Sequence, residues 1–253
     1  MEQVARHVWV VTSPTWLTTS TLVVDDDGAC LLVDPALTPE EILALEQEVS
    51  RRGWHVAAGF STHPHWDHVL WSAALPDVPR WATSVATDAA TAEELTAQAS
   101  RDLPGYRWDV IGGTTPLAPD TTEVPWTGPR AVVVPTPGHA PGHASLHLPE
   151  EGVLIAGDML SDVEVPLLDD APDAFEEYRH SLRRLADLDP RVVVPGHGRV
   201  AHRWVGHRRV HADERYLADL AAGTPPHDHR LADPRVRADH ESQMALLSSR
   251  AGG

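Results

Sequence analysis

Short, uninterrupted apolar segments are the feature that most restricts how this chain can fold. Runs of this length, bounded by turn residues, are typical of strands that are buried on both faces of a sheet. Five such runs are predicted as strands: Ala29–Val33, Val56–Phe60, Ala131–Val134, Val153–Ala156 and Val192–Val194. Segments with helical patterns lie between them, and this alternation predicts an α/β fold.

Further strands are predicted from residue type and turn signals. His7–Val11 and Thr19–Val24 precede the turn Asp25-Asp26-Asp27-Gly28. Ser145–Leu148 is expected to form a hairpin with the apolar strand that begins at Val153.

Six helices are predicted between and after these strands. The first has Thr38 as its N-cap, Pro39 at its first position and Glu41 three residues after the cap, and it ends at Gly53. The others are predicted at Asp67–Trp71, Thr83–Ser100, Ala171–Leu188, Arg203–Ala222 and Arg237–Ser249. The chain has 253 residues, of which 42% are apolar. These values predict a single domain over residues 1–253, with C-terminal helices from about residue 203.

Charge and cysteine content exclude several classes of partner and site. Twenty basic residues, all of them Arg, face thirty-seven acidic ones, for a formal net charge of -17. A field of that sign repels nucleic acids and anionic membranes, so we expect neither as a partner and expect a small-molecule substrate. Cys30 is the only cysteine, which excludes an internal disulfide and a cysteine-rich zinc site. The N-terminal residues show no signal peptide pattern and no segment reaches membrane-spanning length, which predicts a cytoplasmic protein.

The segment Ser61-Thr-His-Pro-His-Trp-Asp-His-Val69 concentrates metal-ligand side chains at the end of a predicted strand. It holds His63, His65, Asp67 and His68 within six positions. A buried imidazole needs a hydrogen-bond partner or a metal, so a hydrophobic core has no use for such a cluster. The ends of strands in α/β sheets are also where binding sites are usually built.

Three further strands also end in a residue of this kind. His139, Asp158 and His197 follow the strands that begin at Ala131, Val153 and Val192, and Gly or Pro residues beside them allow sharp turns. Together the candidates are His63, His65, Asp67, His68, His139, Asp158 and His197. A tetrahedral metal ion takes at most four protein ligands, so seven candidates indicate two metal ions, about 3.5–4 Å apart and bridged by a carboxylate and a hydroxide.

The ordered set of motifs resembles that of the metallo-β-lactamase-fold hydrolases, in particular their glyoxalase II and lactonase-like branch. Thr62-His-Pro-His-Trp-Asp-His68 is similar to the HxHxDH signature, and Thr136-Pro-Gly-His139, Ala156-Gly-Asp158 and Pro195-Gly-His197 are similar to the later ligand motifs. The resemblance spans roughly residues 8–198. It implies a four-layer αββα sandwich with the site at one edge.

The resemblance also implies a division of the ligands. His63, His65 and His139 would hold one metal, Asp67, His68 and His197 would hold the other, and Asp158 would bridge the two. Asp34, at the end of another strand, resembles the acidic residue that supports the metal loop in this family. His143, four residues after His139, is expected to orient a ligand without binding the metal, and the alternative is that it competes for the metal.

The implied activity is that of a dinuclear metal-dependent hydrolase. Two divalent ions, zinc first with iron or manganese as alternatives, would share a hydroxide that attacks an ester, thioester or lactone carbonyl. Asp67 and Asp158 are the predicted catalytic residues, and no organic cofactor is expected. Either Asp67 or a metal-bound water would protonate the leaving group. The alternatives are an iron-dependent oxygen or redox enzyme on the same scaffold and a non-catalytic binding module stabilised by metal. The oligomeric state stays open, with a homodimer as one alternative.

Several other residues receive structural predictions. Trp66 and Trp71 either line the pocket or pack under the metal loop, and Cys30 is expected to be a small buried side chain. The remaining histidines of the C-terminal region are expected on the solvated surface: His202, His207, His211, His227, His229 and His240.

Overall fold

The computed structural model describes residues 1–35 and 37–251. Its strands are β1 (Glu2–Ala5), β2 (Val8–Thr12), β3 (Thr19–Val24), β4 (Ala29–Val33), β5 (His55–Phe60), β6 (Leu70–Trp71), β7 (Arg80–Ala82), β8 (Val110–Ile111), β9 (Thr115–Pro116), β10 (Val132–Pro135), β11 (Ala144–Leu148), β12 (Val153–Gly157), β13 (Val192–Pro195) and β14 (Ala201–His202). Its α-helices are α1 (Pro39–Arg51), α2 (Ser84–Asp88), α3 (Ala92–Asp102), α4 (Ala174–Asp187), α5 (Arg203–Ala222) and α6 (Pro234–Ala251).

The strands form two mixed sheets that face each other. One sheet has the order β1-β2-β3-β4-β5-β7-β9, and the other has the order β10-β11-β12-β13-β14. The neighbours β4 and β5 run parallel, as do β12 and β13, whereas β11 and β12 form the predicted antiparallel hairpin. A small ladder of β6 and β8 lies apart from both sheets.

Side chains that point alternately to the two faces of each buried strand produce the layers of the fold. In β4, Leu31 and Val33 face the core between the sheets, whereas Cys30 and Leu32 face the core under α1. The second sheet repeats this arrangement, with a third core between its outer face and helices α4 and α5. Because successive side chains point to opposite faces, continuous apolar runs are required in such strands. The predicted α/β class and four-layer αββα sandwich are confirmed.

Local signals place several elements at their predicted positions. Strands β3 and β4 and helix α5 have the predicted bounds. Helix α1 has the predicted capping box, in which Thr38 accepts a hydrogen bond from the backbone N–H of Glu41 and the Glu41 carboxylate accepts one from that of Thr38.

Two helix predictions were wrong. The segment Asp67–Trp71 is a single 3-10 turn, Trp66–His68, followed by β6. The segment Thr83–Ser100 is two helices, because the hydroxyl of Thr91 caps a new helix after the end of α2. The first error overlooks the pairing of Leu70 and Trp71 with β8, and the second treats a polar, helix-compatible stretch as one continuous element.

The topology brings the candidate ligands to one edge of the sandwich. They follow β5 in the first sheet and β10, β12 and β13 in the second. A backbone hydrogen bond from Thr19 to Gly196 joins the two sheets at this edge. Within the described part of the chain, none of the helices combines the length and hydrophobicity needed to span a bilayer.

Candidate metal centre

The structure brings all seven predicted residues together. Their donor atoms form two adjacent groups within 4.8 Å: one contains His63, His65, His139 and Asp158, and the other contains Asp67, His68 and His197. All seven side chains are buried or nearly so. Their role as metal ligands stays a prediction.

The first group is a tight convergence of three imidazole nitrogens and a carboxylate. His65 Nδ1 lies 3.1 Å from His63 Nε2 and 3.2 Å from His139 Nε2. The Oδ2 atom of Asp158 lies 3.5 Å from His63 Nε2 and 3.4 Å from His139 Nε2. Three nitrogens at such distances surround a volume suited to one small cation.

The second group lies against the other side of Asp158. His197 Nε2 lies 3.2 Å from both His68 Nε2 and the Oδ2 atom of Asp67. The Oδ1 atom of Asp158 approaches His68 Nε2 to 3.2 Å, and its Oδ2 atom, which contacts the first group, also lies 3.6 Å from His197 Nε2. The carboxylate therefore contacts both groups. Oδ1 is buried and has no hydrogen-bond partner among the described residues. A buried ionised oxygen needs a positive charge beside it, which protonated His68 supplies in the metal-free protein and a bound cation would supply in its place.

Hydrogen bonds on the far side of each ring orient the inward nitrogens. The Nδ1 atom of His139 lies 3.0 Å from the carbonyl oxygen of Leu167, and that of His197 lies 3.2 Å from the carbonyl oxygen of Trp16. A carbonyl only accepts, so Nδ1 carries a proton on both rings and Nε2 is the nitrogen that faces the centre. Burial lowers the pKa of His197, but the carboxylates of Glu164, Asp158 and Asp67 outweigh it and raise that pKa well above its usual value, so Nε2 of His197 must lose a proton before it can bind a metal. Metal-binding histidines are commonly held in this way.

Asp34 supports the histidine loop from below. Its Oδ1 accepts a hydrogen bond from the backbone N–H of Thr62, and its Oδ2 accepts one from the Thr62 hydroxyl at 2.6 Å. The same Oδ2 lies 3.1 Å from His68 Nδ1. The Thr62 hydroxyl, having donated its proton, accepts from His63 Nδ1 at 3.0 Å. One buried carboxylate therefore fixes the orientation of two rings.

Both ring nitrogens of His143 make hydrogen bonds to residues other than the donor atoms of the two groups. Its Nε2 accepts a hydrogen bond from the backbone N–H of Asp158 at 3.2 Å, so its Nδ1 carries a proton and donates to the Thr136 hydroxyl at 2.8 Å. This ring holds the backbone that carries Asp158 and is not part of either donor group.

Two glycines make room for the Asp158 carboxylate. Gly157 has a φ of +58°, and a Cβ there would collide with the ring of His143. A Cβ at Gly196 would collide with the Oδ1 atom of Asp158. Glycine is therefore required at both positions for this approach of strands β12 and β13.

The electrostatics differ between the two groups. Burial lowers the pKa of His63 well below its usual value and that of His65 to about 4, so both rings are neutral. Burial acts in the same direction on His68, but the carboxylates of Asp158 and Asp67 outweigh it and raise its pKa to about 9. For Asp67, burial is outweighed by His68 and His197, which lower its pKa to about 2. The centre is therefore built around ionised carboxylates.

A cleft of about 470 Å³ opens beside the two groups. Glu164 and Arg235 contribute to its lining and were not predicted from the sequence. The Glu164 carboxylate pairs with the Arg235 guanidinium and lies 3.9 Å from His197 Nδ1, and the guanidinium lies over the ring of Trp16. The sequence offers one indication for Glu164, which is its position in the loop that follows Asp158. It offers none for Arg235, which reaches the cleft through tertiary structure.

The remaining predictions concern tryptophan, cysteine and histidine. Trp71 packs under the histidine loop against Gly59, whereas Trp66 is 4% exposed and also borders the cleft. Cys30 is buried as predicted, and burial raises its pKa to about 12. The surface position is confirmed for His202, His207, His211, His227 and His229, whereas His240 is half-buried and bonds to the Tyr216 hydroxyl.

Curated relatives include hydrolases of two kinds. The chain is 31% identical over 174 residues to a hydroxyacylglutathione hydrolase of Ruegeria pomeroyi, which covers 68% of this chain and 58% of that enzyme. Hydroxyacylglutathione hydrolases of two Rhizobium species are each matched over 54% of their length, so the chain spans little more than half of these relatives. It is 28% identical to the probable metallo-hydrolase YflN of Bacillus subtilis, covering 66% of this chain and 75% of that protein.

Solved structures with the same architecture include two at similar identity. The metallo-beta-lactamase family protein TTHA1429 of Thermus thermophilus is 25% identical, with a TM-score of 0.64 over 86% of this chain and 81% of its own. TTHA1623 in a di-iron-bound form is 28% identical, with a TM-score of 0.62 over 79% of this chain and 98% of its own. The model of the metallo-beta-lactamase superfamily matches residues 14–197, which include every candidate ligand. With that match over more than half of its length, the chain belongs to the metallo-beta-lactamase superfamily.

Proposed function

We propose that this protein is a dinuclear metal-dependent hydrolase that cleaves an ester, thioester or lactone carbonyl. One observation carries the proposal. The Asp158 carboxylate lies between two groups of inward-facing donors, with one oxygen 3.2 Å from His68 Nε2 and the other 3.4 Å from His139 Nε2. A shared carboxylate of this kind is typical of sites that hold two cations close together.

The donor atoms fit two divalent cations. His63 Nε2, His65 Nδ1 and His139 Nε2 would hold one ion, and Asp67 Oδ2, His68 Nε2 and His197 Nε2 would hold the other, with Asp158 shared. The Oδ1 atom of Asp158 supports this assignment, because it is buried and makes no hydrogen bond among the described residues beyond its ion-pair contact with His68. The rings of His139 and His197 also support it, because their outer nitrogens bond to carbonyl oxygens. Imidazole and carboxylate donors suit zinc and also suit iron and manganese.

Bound divalent ions would supply a nucleophile by lowering the pKa of water to about 7 and would polarise the substrate carbonyl. The protein's own residues prepare the site for this chemistry. Asp67 borders the cleft and is ionised at neutral pH, so we assign it to orient the attacking water and to pass the proton to the leaving group. Asp34 and His143 keep the rings and the Asp158 backbone in position before substrate arrives.

Thioesters are the substrate class that we place first. Relatives at 31–32% identity are named hydroxyacylglutathione hydrolase, which supports a thioester carbonyl as the reacting group. The test is a panel containing a glutathione thioester, a simple alkyl thioester, an aryl ester and a lactone, assayed with the metal-loaded protein. Preference for a thioester supports the proposal, and turnover of none of the four contradicts it.

Zinc is the metal that we place first, and iron is the alternative favoured by a specific observation. A structural neighbour with 28% identity, TTHA1623, has been solved in a di-iron-bound form. Elemental analysis of protein purified without chelators, together with oxygen-uptake and hydrolysis assays, separates the two. Zinc with hydrolysis supports our proposal. Iron with oxygen consumption and no hydrolysis would assign the protein to redox chemistry instead.

Asp158→Asn tests the dinuclear mechanism directly. Asn keeps the shape of the side chain but loses its charge, so we expect a folded protein with weakened metal binding. Its hydrolytic rate should fall by orders of magnitude and its pH profile should move to higher pH. The matched control is Asp26→Asn, because the Asp26 side chain is 80% exposed on the surface. An Asp158→Asn protein that holds both metals and hydrolyses substrate at the unmutated rate would exclude this mechanism.

A further inference from the structure

The loop that follows β12 connects Asp158 with two other candidate ligands. We name residues Asp158–Leu168 the Asp158 loop. The Ser161 hydroxyl donates a hydrogen bond to the carbonyl oxygen of His197 at 2.7 Å, and the carbonyl oxygen of Leu167 lies 3.0 Å from His139 Nδ1. A displacement of this one loop would therefore move donors of both groups.

The Asp158 loop is held by side chains from the C-terminal helices. Gln243 on α6 accepts a hydrogen bond from the backbone N–H of Leu168 at 2.7 Å and donates one to the carbonyl oxygen of Pro166 at 3.0 Å. Arg209 on α5 donates to the carbonyl oxygen of Leu160 at 3.2 Å. Both helices lie beyond residue 197, where the match to the superfamily model ends.

Arg230 lies in the 3-10 turn His229–Ala232 between α5 and α6 and makes two further contacts with the Asp158 loop. Its side chain is 1% exposed, and its Nη1 donates to the carbonyl oxygens of Ser161 and Glu164 at 3.0 and 2.9 Å. The same guanidinium pairs with the carboxylates of Asp213 and Asp228 at 2.6 and 2.7 Å. The two loop carbonyls on Arg230 flank the turn in which the Ser161 hydroxyl accepts from the backbone N–H of Glu164 at 3.0 Å.

Burying a charged guanidinium this deeply costs free energy of desolvation, and the partners of Arg230 indicate its role in the structure. A charged side chain stabilises a buried position only when nearly all of its donors are satisfied. Arg230 satisfies them with two carboxylates and two backbone carbonyls of the Asp158 loop. A planar fork of donors fixes direction as well as distance, which a point charge does not. The loop is therefore held at a defined place relative to α5 and α6.

We propose that the C-terminal helices and the turn between them position the metal centre, with Arg230 of the turn and Gln243 of α6 as positioning residues that hold the Asp158 loop. The inference rests on the metal centre of the proposed function but not on its substrate or reaction. Neither residue touches a candidate ligand side chain directly. Each acts through the backbone that carries Asp158 and through the contacts of that backbone with His139 and His197.

The test measures zinc affinity without substrate, by competition with a chromophoric chelator. The main variant is Arg230→Lys, which keeps the positive charge and removes the planar fork. We expect zinc affinity to fall about 10–100-fold, the range for groups that orient metal ligands. The visible absorption of the cobalt(II)-loaded variant should also differ from that of the unmutated protein, because the coordination geometry changes.

The matched control is Leu220→Ala on α5. Leu220 is buried in the core that α4 and α5 share, and its apolar side chain makes no hydrogen bond to the Asp158 loop. We expect this variant to lose thermal stability and to keep the zinc affinity of the unmutated protein. An equal loss of zinc affinity in Leu220→Ala and Arg230→Lys would overturn the proposal, because general destabilisation would then explain both.

A second variant covers the case in which Arg230→Lys does not fold. Gln243→Leu is close in size and removes the two hydrogen bonds to the loop, and we expect it to weaken zinc binding in the same range. Unmutated zinc affinity in a folded Arg230→Lys or Gln243→Leu protein would overturn the proposal. Unmutated protein that binds zinc but cleaves no substrate would contradict the hydrolase assignment alone, and protein that binds no zinc would contradict both.

Discussion

His139 and His143 lie in the same loop, yet their rings face different partners. The Nε2 atom of His139 points into the first donor group, at 3.2 Å from His65 Nδ1. Both nitrogens of His143 are engaged elsewhere, with the Thr136 hydroxyl and with the backbone of Asp158. These two buried histidines therefore have different roles, which a comparison of variants can distinguish.

His139→Ala and His143→Ala should differ in metal content. His139→Ala removes a donor, so we expect severe loss of one metal and of hydrolysis. His143→Ala leaves every donor in place, so we expect it to keep most of the metal. Its activity should fall by no more than about 10–100-fold. Elemental analysis and the hydrolysis assay measure both. The reverse pattern would show that the two rings have been assigned the wrong way round.

Zinc binding to the metal-free protein should strengthen as pH rises from 6.5 to about 9. Nearby carboxylates, working against burial, raise the pKa of His68 from 6.5 to about 9, so this ring must lose a proton before it can bind zinc.

Without metal, the stabilising contribution of protonated His68 is complete below pH 6.5 and is lost as pH rises through 9. The contribution of ionised Asp67 is present above pH 3.8 and is lost as pH falls to about 2.

Calorimetric titrations with zinc in two buffers of different ionisation enthalpy would measure the released protons. We expect proton release near neutral pH and a rise in affinity across this range. Affinity that does not change between pH 6.5 and 9 would contradict the raised pKa of His68.

Elements with strong local sequence signals were predicted from the sequence, whereas elements with weak local signals were not. Helix α1 was predicted because Thr38, Pro39 and Glu41 give it a complete N-terminal cap. Short edge strands such as β1 and β14 were not predicted, because they are held by pairing with a neighbour and not by an apolar pattern of their own. Tertiary contact decides such segments, and a single sequence does not contain that information.

The N-cap of α1 offers a test at this scale. Thr38→Ala removes the hydroxyl that accepts a hydrogen bond from the backbone of Glu41, so we expect the free energy of unfolding to fall by about 1 kcal/mol. Thr38→Ser keeps the oxygen and should stay close to the unmutated value. Chemical denaturation of the metal-free proteins measures the difference. Equal stability of the Ala and Ser variants would contradict the capping role.

The residues of the candidate site were predictable from the sequence only where they lie in recognisable motifs. All seven candidate ligands follow buried strands and lie in recognisable motifs, and the structure brings them together. Glu164 and Arg235 were missed because the cleft forms only when α6 reaches the end of the second sheet. Cleft-lining groups that come from distant elements carry no local pattern.

Considering the whole molecule, we predict one cooperative unfolding transition, as expected for a single domain over residues 1–253. Three apolar cores are stacked through both sheets, and hydrogen bonds from Arg209, Arg230 and Gln243 tie the C-terminal helices to the Asp158 loop. Circular dichroism and tryptophan fluorescence should therefore report the same midpoint in the metal-free protein. Two separated transitions would indicate that the C-terminal helices unfold independently.

The division of the candidate ligands between the two sheets also has a consequence in polymer terms. His68 and His197 are 129 residues apart in sequence, yet their Nε2 atoms lie 3.2 Å apart. A cation bound by both would act as a reversible cross-link in a chain whose single cysteine cannot form one. By the chain-entropy relation for closed loops, such a link restricts the unfolded chain by about 5 kcal/mol at most. Removing the metal would release this link, and the two sheets would then be joined by packing and hydrogen bonds alone.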